Sequence, residues 1–197
     1  MALDISKLNI TVFDLEIKEV IGQNGIGWKS YDKMGISVGC SYNFLRREYK
    51  IYMDDNLDEL AELIASSQLV SGFNTMGFDI PLLEATLKAQ VRKDNHYDIL
   101  QYSREAHGSG PFKRGFKLDN HLAGTFGKDS MKTANGEQAP VWWQEGKIGR
   151  VASYCLDDVT REARLFKRLW ETGRLTLDTH GEIVFKTIPQ AVFGRVA

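Results

Sequence analysis

The chain has 197 residues, 43% of them hydrophobic and 26% charged, and a formal net charge of −1. That length fits one domain with a real core, in an ordinary globular balance. Near-neutrality excludes a bulk polycation, so contact with nucleic acid has to come from local basic patches.

In chain order, Leu8 to Leu15 is rich in β-branched residues and reads as a buried strand. Gly22 to Gly27 is a glycine-punctuated loop. Met34 to Phe44 and Glu48 to Met53 read as two further strands joined at Arg46 and Arg47. Leu57 to Ser66 has helical apolar spacing with Asn56 as its N-cap. Leu69 to Phe73 is a fourth strand, and Asp79 to Ala89 a helix that tolerates Pro81 in its first turn.

His96 to Leu100 forms a fifth short strand leading into helix. Ser103 to Lys117 is glycine-rich, basic and loop-like, followed by a short helix over Leu118 to Phe126. Gly127 to Pro140 is a polar, mobile connection. Ile148 to Trp170 is the longest helix, with Ile148, Ala152, Cys155, Val159, Ala163 and Phe166 as its core stripe. Arg174 to Lys186 alternates around His180-Gly181 as a hairpin. This order predicts an α/β fold: a mixed sheet of about five strands flanked by helices, with a C-terminal β-hairpin.

Cys40 and Cys155 lie in apolar runs and read as buried free thiols. No run approaches membrane-spanning length and the N-terminus lacks a signal-peptide stretch, so a reducing cytoplasm and no membrane are expected.

Three segments carry acids in suggestive settings. Asp14 and Glu16 are two apart at a strand end, so both carboxylates share one face. Asn74, three residues and then Phe78-Asp79 is a rare spacing, placed where a strand gives way to a helix whose dipole favours an ionised acid. Tyr154 and Asp158 are four apart on a helix and share its flank. Asp-x-Glu and Tyr-x-x-x-Asp are each common by chance, and a solvated strand end, an N-cap or a surface acid explains any one alone. Together they need a counter-charge. Carboxylates about 5 Å apart repel by roughly 3 kcal/mol at an effective dielectric near 20, and hard divalent cations relieve this.

The three segments resemble the Exo I, Exo II and Exo III motifs of the DEDD 3′–5′ exonucleases of the RNase H-like superfamily. The chain especially resembles stand-alone predicted exonucleases related to the proofreading domain of family B DNA polymerases. Tyr154 matches the DEDDy branch, whereas the DEDDh branch wants His where this chain has Ser153. The resemblance runs from about Leu8 to Trp170, within a single domain over residues 1–197 that carries the hairpin at about 174–186 as an extension.

The resemblance implies two ions, Mg²⁺ or Mn²⁺. Asp14 would touch both, Glu16 and Asp158 would complete the nucleophile-side ion, and Asp79 would hold the second. Tyr154 would orient the attacking water. Asn74 and Phe78 would line the site, Phe78 stacking on a terminal base or simply packing in the core, and Ile17 would offer a backbone contact. Lys113, Arg114 and Lys117, interleaved with Phe112 and Phe116, suit a single strand of DNA or RNA or form a solvated loop.

The expected function is hydrolysis at 3′ ends of single-stranded nucleic acid, DNA over RNA. The alternatives are an inactive nucleic-acid-binding or replication-associated module of the same fold and a related metal-dependent endonuclease.

Overall fold

The computed structural model describes residues 3–110, 113–130 and 136–196. One mixed sheet contains β1 (Ile10–Ile17), β2 (Ile36–Asn43), β3 (Glu48–Tyr52), β4 (Leu69–Gly72) and β5 (His96–Asp98). Their order is β3-β2-β1-β4-β5. β2 is antiparallel to β1 and β3, whereas β4 is parallel to β1 and β5 to β4. Helices α1 (Tyr31–Met34), α2 (Leu57–Ser66), α3 (Asp79–Leu87), α4 (Ile99–His107), α5 (Leu118–Phe126), α6 (Ala139–Gln144), α7 (Ile148–Thr172) and α8 (Pro189–Val196) flank it. A separate hairpin of β6 (Arg174–Leu177) and β7 (Gly181–Val184) completes the α/β arrangement expected from the sequence.

Alternation along β1 assigns the two faces of the sheet. Ile10 and Val12 pack with Leu165, Phe166 and Leu169 of α7. Phe13, Leu15 and Ile17 pack with α2 and α3 through Leu60, Ile64, Ile80 and Leu83. Asp14 and Glu16 continue the Ile10–Val12 series and face α7. Val38 and Cys40 of β2 meet Val151, Cys155 and Val159 beneath α6. The hairpin lies on α5 at Gly124, where a Cβ would sit 2.3 Å from the Thr176 carbonyl oxygen, so glycine permits the approach.

Several expectations are corrected. Ile148 is 41% exposed and Ala152 half-buried. The inner face of α7 instead presents Val151, Tyr154, Cys155, Asp158, Val159 and Glu162. Tyr154 and Asp158 are thus on the buried face and not its flank, because the polar end of that face meets the acids of β1. The helical segment within Ser103 to Lys117 was hidden by polarity. α4 runs to His107, where Gly108 turns left-handed, and Ser103 is buried against His121.

Asn56 stands at the start of α2, but its Oδ1 accepts from the Met53 amide at 2.7 Å and does not cap the helix. β2 begins at Ile36 because Met34 closes α1 and Gly35 turns at φ +59. α6 and α8 were not anticipated; both are short, with a proline in the first turn. The polar connection from Gly127 to Pro140 has 3₁₀ turns at Lys128–Ser130 and Gly136–Gln138 before α6, and its residues 131–135 lie outside the described residues. Both cysteines are buried and free, as expected.

Candidate active site

β1 and β4 pair only over Ile10–Val12, after which β1 runs on alone on that side. The Leu15 N–H is therefore available beyond the end of β4, and it donates to Asp79 Oδ1 at 3.1 Å. Asp79 is the first residue of α3, with Phe78 in the cap position. Burial, and next the negative charge of Asp14, push the Asp79 carboxyl well above the usual carboxylate range, against the opposing Leu15 amide.

One carboxylate oxygen from each of Asp14, Glu16 and Asp158 lies within 4.8 Å of the others. Glu16 and Asp158 are buried and Asp14 is half-buried. Acids from β1 and α7 thus meet at the C-terminal end of the central strand; Asp79 of α3 is not one of this trio and is joined to it through the Leu15 amide. Three hard oxygen donors at this span fit a divalent cation with oxygen ligands at about 2.1 Å. Arg161 Nη1 approaches Asp158 Oδ1 at 3.7 Å and supplies partial counter-charge.

Cys155 ties α7 to β1 at the same place. Its thiol donates to the Asp14 carbonyl at 3.4 Å and lies 3.9 Å from Asp14 Oδ2. Burial, then Cys40 and Asp14, push the thiol pKa well up, so it stays a donor. Tyr154 lies one turn before Asp158 on the buried face, edge-on to Trp142 with ring centroids 6.1 Å apart. A Cβ on Gly136 would be 3.4 Å from its hydroxyl.

The turn carrying Asn74 is held by a residue the sequence reading did not single out. Asp98 Oδ1 accepts from the amides of Asn74, Leu100 and Gln101 at 3.0, 2.9 and 3.2 Å, and its Oδ2 from Met76 at 3.0 Å. The carboxylate caps α4 and pins the turn that presents Asn74, Phe78 and Asp79. An Asp within the short predicted strand that leads into helix was the available signal. Asn74 itself adopts φ +68, a conformation asparagine tolerates. A cleft of about 500 Å³ opens beside it, lined by Asn74, Met76, Gly77, Gln101 and Arg104 among others.

The remaining candidates are placed as follows. Phe78 is half-buried, with the rings of Tyr31 and Trp28 edge-on at 6.0 and 6.4 Å. Ile17 is buried in the apolar cluster shared with α2 and α3, just past an irregularity in the β1–β2 pairing. Lys113, Arg114 and Lys117 are exposed. Their loop is anchored to α5 and to the hairpin tip, where the Gly115 carbonyl accepts from Asn120 and Thr179, each at 2.9 Å. Phe116 is buried against His107 and His180, so its ring is not available for stacking. Phe112 lies outside the described residues.

A family model described as the RNase H superfamily matches residues 41–170. The match takes in Asp79, Tyr154 and Asp158; Asp14 and Glu16 precede it. No curated protein matches the chain. Among solved structures, a family B DNA polymerase from the hyperthermophilic archaeon Pyrobaculum calidifontis matches with a TM-score of 0.60 at 14% identity. The superposition covers 82% of this chain and 24% of the polymerase, a likeness of fold to about a quarter of that protein. No helix among the described residues is long and apolar enough to cross a membrane.

Proposed function

This chain belongs to the RNase H superfamily, and from that premise we propose that it is a metal-dependent 3′–5′ exonuclease of single-stranded nucleic acid, working with two Mg²⁺ or Mn²⁺ ions. The superfamily and the carboxylate cluster support a nuclease. The observation that carries the finer reading is the meeting of Asp14, Glu16 and Asp158 within 4.8 Å, with Asp79 bonded to the amide between the first two. The likeness to a DNA polymerase favours DNA over RNA. The free thiols of Cys40 and Cys155 support a reducing setting such as the cytoplasm.

In this reading Asp14, Glu16 and Asp158 would hold one ion, and Asp79 with Asp14 would hold the other. Bound divalent cations supply positive charge at the scissile phosphate and favour ionisation of the attacking water. The chain's own residues set the rest. Burial of Glu16, Asp79 and Asp158 lowers the local dielectric and strengthens each charge interaction there. A phenol hydroxyl makes hydrogen bonds without ionising, so Tyr154 orients the water and does not deprotonate it. The pinned Asn74 turn holds Phe78 and Asp79 at the mouth of the site, and Asn74, Phe78 and the Ile17 backbone meet the terminal nucleotide. Lys113, Arg114 and Lys117 meet the phosphates of a strand that reaches their loop.

The test uses 5′-labelled and 3′-labelled single strands and a circular single strand, each with Mn²⁺ or EDTA. Stepwise loss from the 3′ end that needs the ion and vanishes in Asp14→Ala is the expected result. Cutting of the circle makes the protein an endonuclease, and binding without cleavage makes it an inactive module.

A further inference from the structure

Phe78 is the aromatic residue nearest Asp79 in sequence, but its ring is half-covered. The ring left open is Trp28, 69% exposed on the segment that leaves β1. Its indole stands edge-on to Phe78 at 6.4 Å. The Tyr31 hydroxyl donates to the Gly77 carbonyl at 2.9 Å, which fastens this segment to the turn preceding Asp79. The segment that carries Trp28 is therefore fastened to the turn preceding Asp79 by one ring contact and one hydrogen bond, although Trp28 lies far from Asp79 in sequence.

We propose that Trp28 is a stacking surface for an unpaired base near the 3′ end of a nucleic-acid strand, on the Asp79 side of the carboxylate cluster. The proposal rests on the exonuclease reading above and extends it to a named substrate contact. An indole this open exposes a large flat apolar face, which a planar base covers without sequence preference. Lys29 and Lys33 follow it in sequence and are exposed, and with the exposed Asp32 between them they leave a net local positive charge beside the ring, which suits the phosphates of a single strand. The chain's near-neutral net charge makes such a local arrangement necessary for strand binding.

The test compares the parent chain, Trp28→Ala and Trp28→Tyr. The probe is a 5′-fluorescein single-stranded 12-mer, alongside the same strand with its two 3′-terminal nucleotides abasic. Affinity is read by anisotropy with Ca²⁺, and shortening by gel with Mn²⁺. Trp28 is exposed, so its loss leaves the fold intact, and a melting curve checks this.

Trp28→Ala is expected to weaken binding of the normal strand about tenfold, the scale of one stacked base, and to leave the abasic strand unchanged. Trp28→Tyr restores most of the loss. Equal binding of both strands by parent and Trp28→Ala overturns the proposal even if shortening is normal. A parent that binds the normal strand more tightly than the abasic one, through Trp28, but never shortens it keeps the stacking contact and removes the exonuclease reading. A parent that binds neither strand overturns both.

Discussion

The Leu15 amide and the Asp79 carboxylate are joined by a 3.1 Å hydrogen bond. The peptide between Asp14 and Glu16 thus positions the third acid directly, and a shift of β1 against α3 would move all three.

That bond separates geometry from charge at Asp79. In Asp79→Asn the amide oxygen still accepts from Leu15, while the charge that burial and Asp14 both disfavour is gone. The variant should melt in EDTA at or above the parent temperature, yet lose on the order of 100-fold or more in cleavage rate. A marked drop in melting temperature would show that the ionised carboxylate contributes to the fold.

Cation binding should be visible without any substrate. An ion that binds only the folded chain at about 100 times its Kd adds about 2.7 kcal/mol, or roughly 5–10 °C for a chain of this size. Titration with Mn²⁺ or Mg²⁺ should raise the parent melting temperature and leave Asp14→Asn/Asp158→Asn unmoved. An identical response in both proteins would place the ion elsewhere.

Asp98 supports four backbone amides at once. Asp98→Ala should cost about 2–4 kcal/mol, since four amides, the Leu100 one buried and the others part-buried, lose their acceptor. Asp98→Asn keeps the Oδ1 position but turns an amino group toward the Met76 N–H. It should fold well and show a raised KM with a smaller change in kcat, because the Asn74–Phe78 turn relaxes. Urea unfolding and steady-state kinetics on the pair decide this, and unchanged KM in Asp98→Asn confines the residue to stability.

His121 sets a pH dependence. Its Nδ1 donates to the Lys117 carbonyl at 2.9 Å, so the neutral Nε2 accepts from the Ser103 hydroxyl at 2.7 Å. Burial pushes its pKa down to about 4. The unfolded imidazole takes a proton near 6.5, so between about 6.5 and 4 the unfolded chain binds more protons and stability falls as pH falls. The full shift corresponds to about 3 kcal/mol.

His96, also held near 4 by burial, acts in the same sense. Asp79 and Asp98, pushed upward, act oppositely. The clean readout is therefore the difference between parent and His121→Gln, whose urea midpoints should converge as pH drops from 7 to 4.5. A pH-independent gap would contradict the buried neutral imidazole.

Most of the architecture was readable because hydrophobic period tracks backbone geometry. Strands such as Leu69–Gly72 and the helix Leu57–Ser66 emerged from local pattern alone. The acids of β1 and α7 could be placed on elements, and the structure brings them together. What stayed hidden depends on contacts between distant segments. Asp98 bonds residues 22 and 24 positions earlier, Cys155 reaches back to Asp14, and Trp28 meets Phe78 across the fold. The buried side of α7 was misjudged at Ile148 because polar Tyr154, Asp158 and Glu162 turn inward there, against the usual sorting of polar groups to solvent.

The clustered acids come from positions 14, 16 and 158, and the last of them rides on the long helix that closes over β1. During synthesis the ribosome has to release most of the chain before that helix can dock. A nascent or truncated product lacking it cannot bring Asp158 to Asp14 and Glu16, so the carboxylate cluster forms only once that helix has docked.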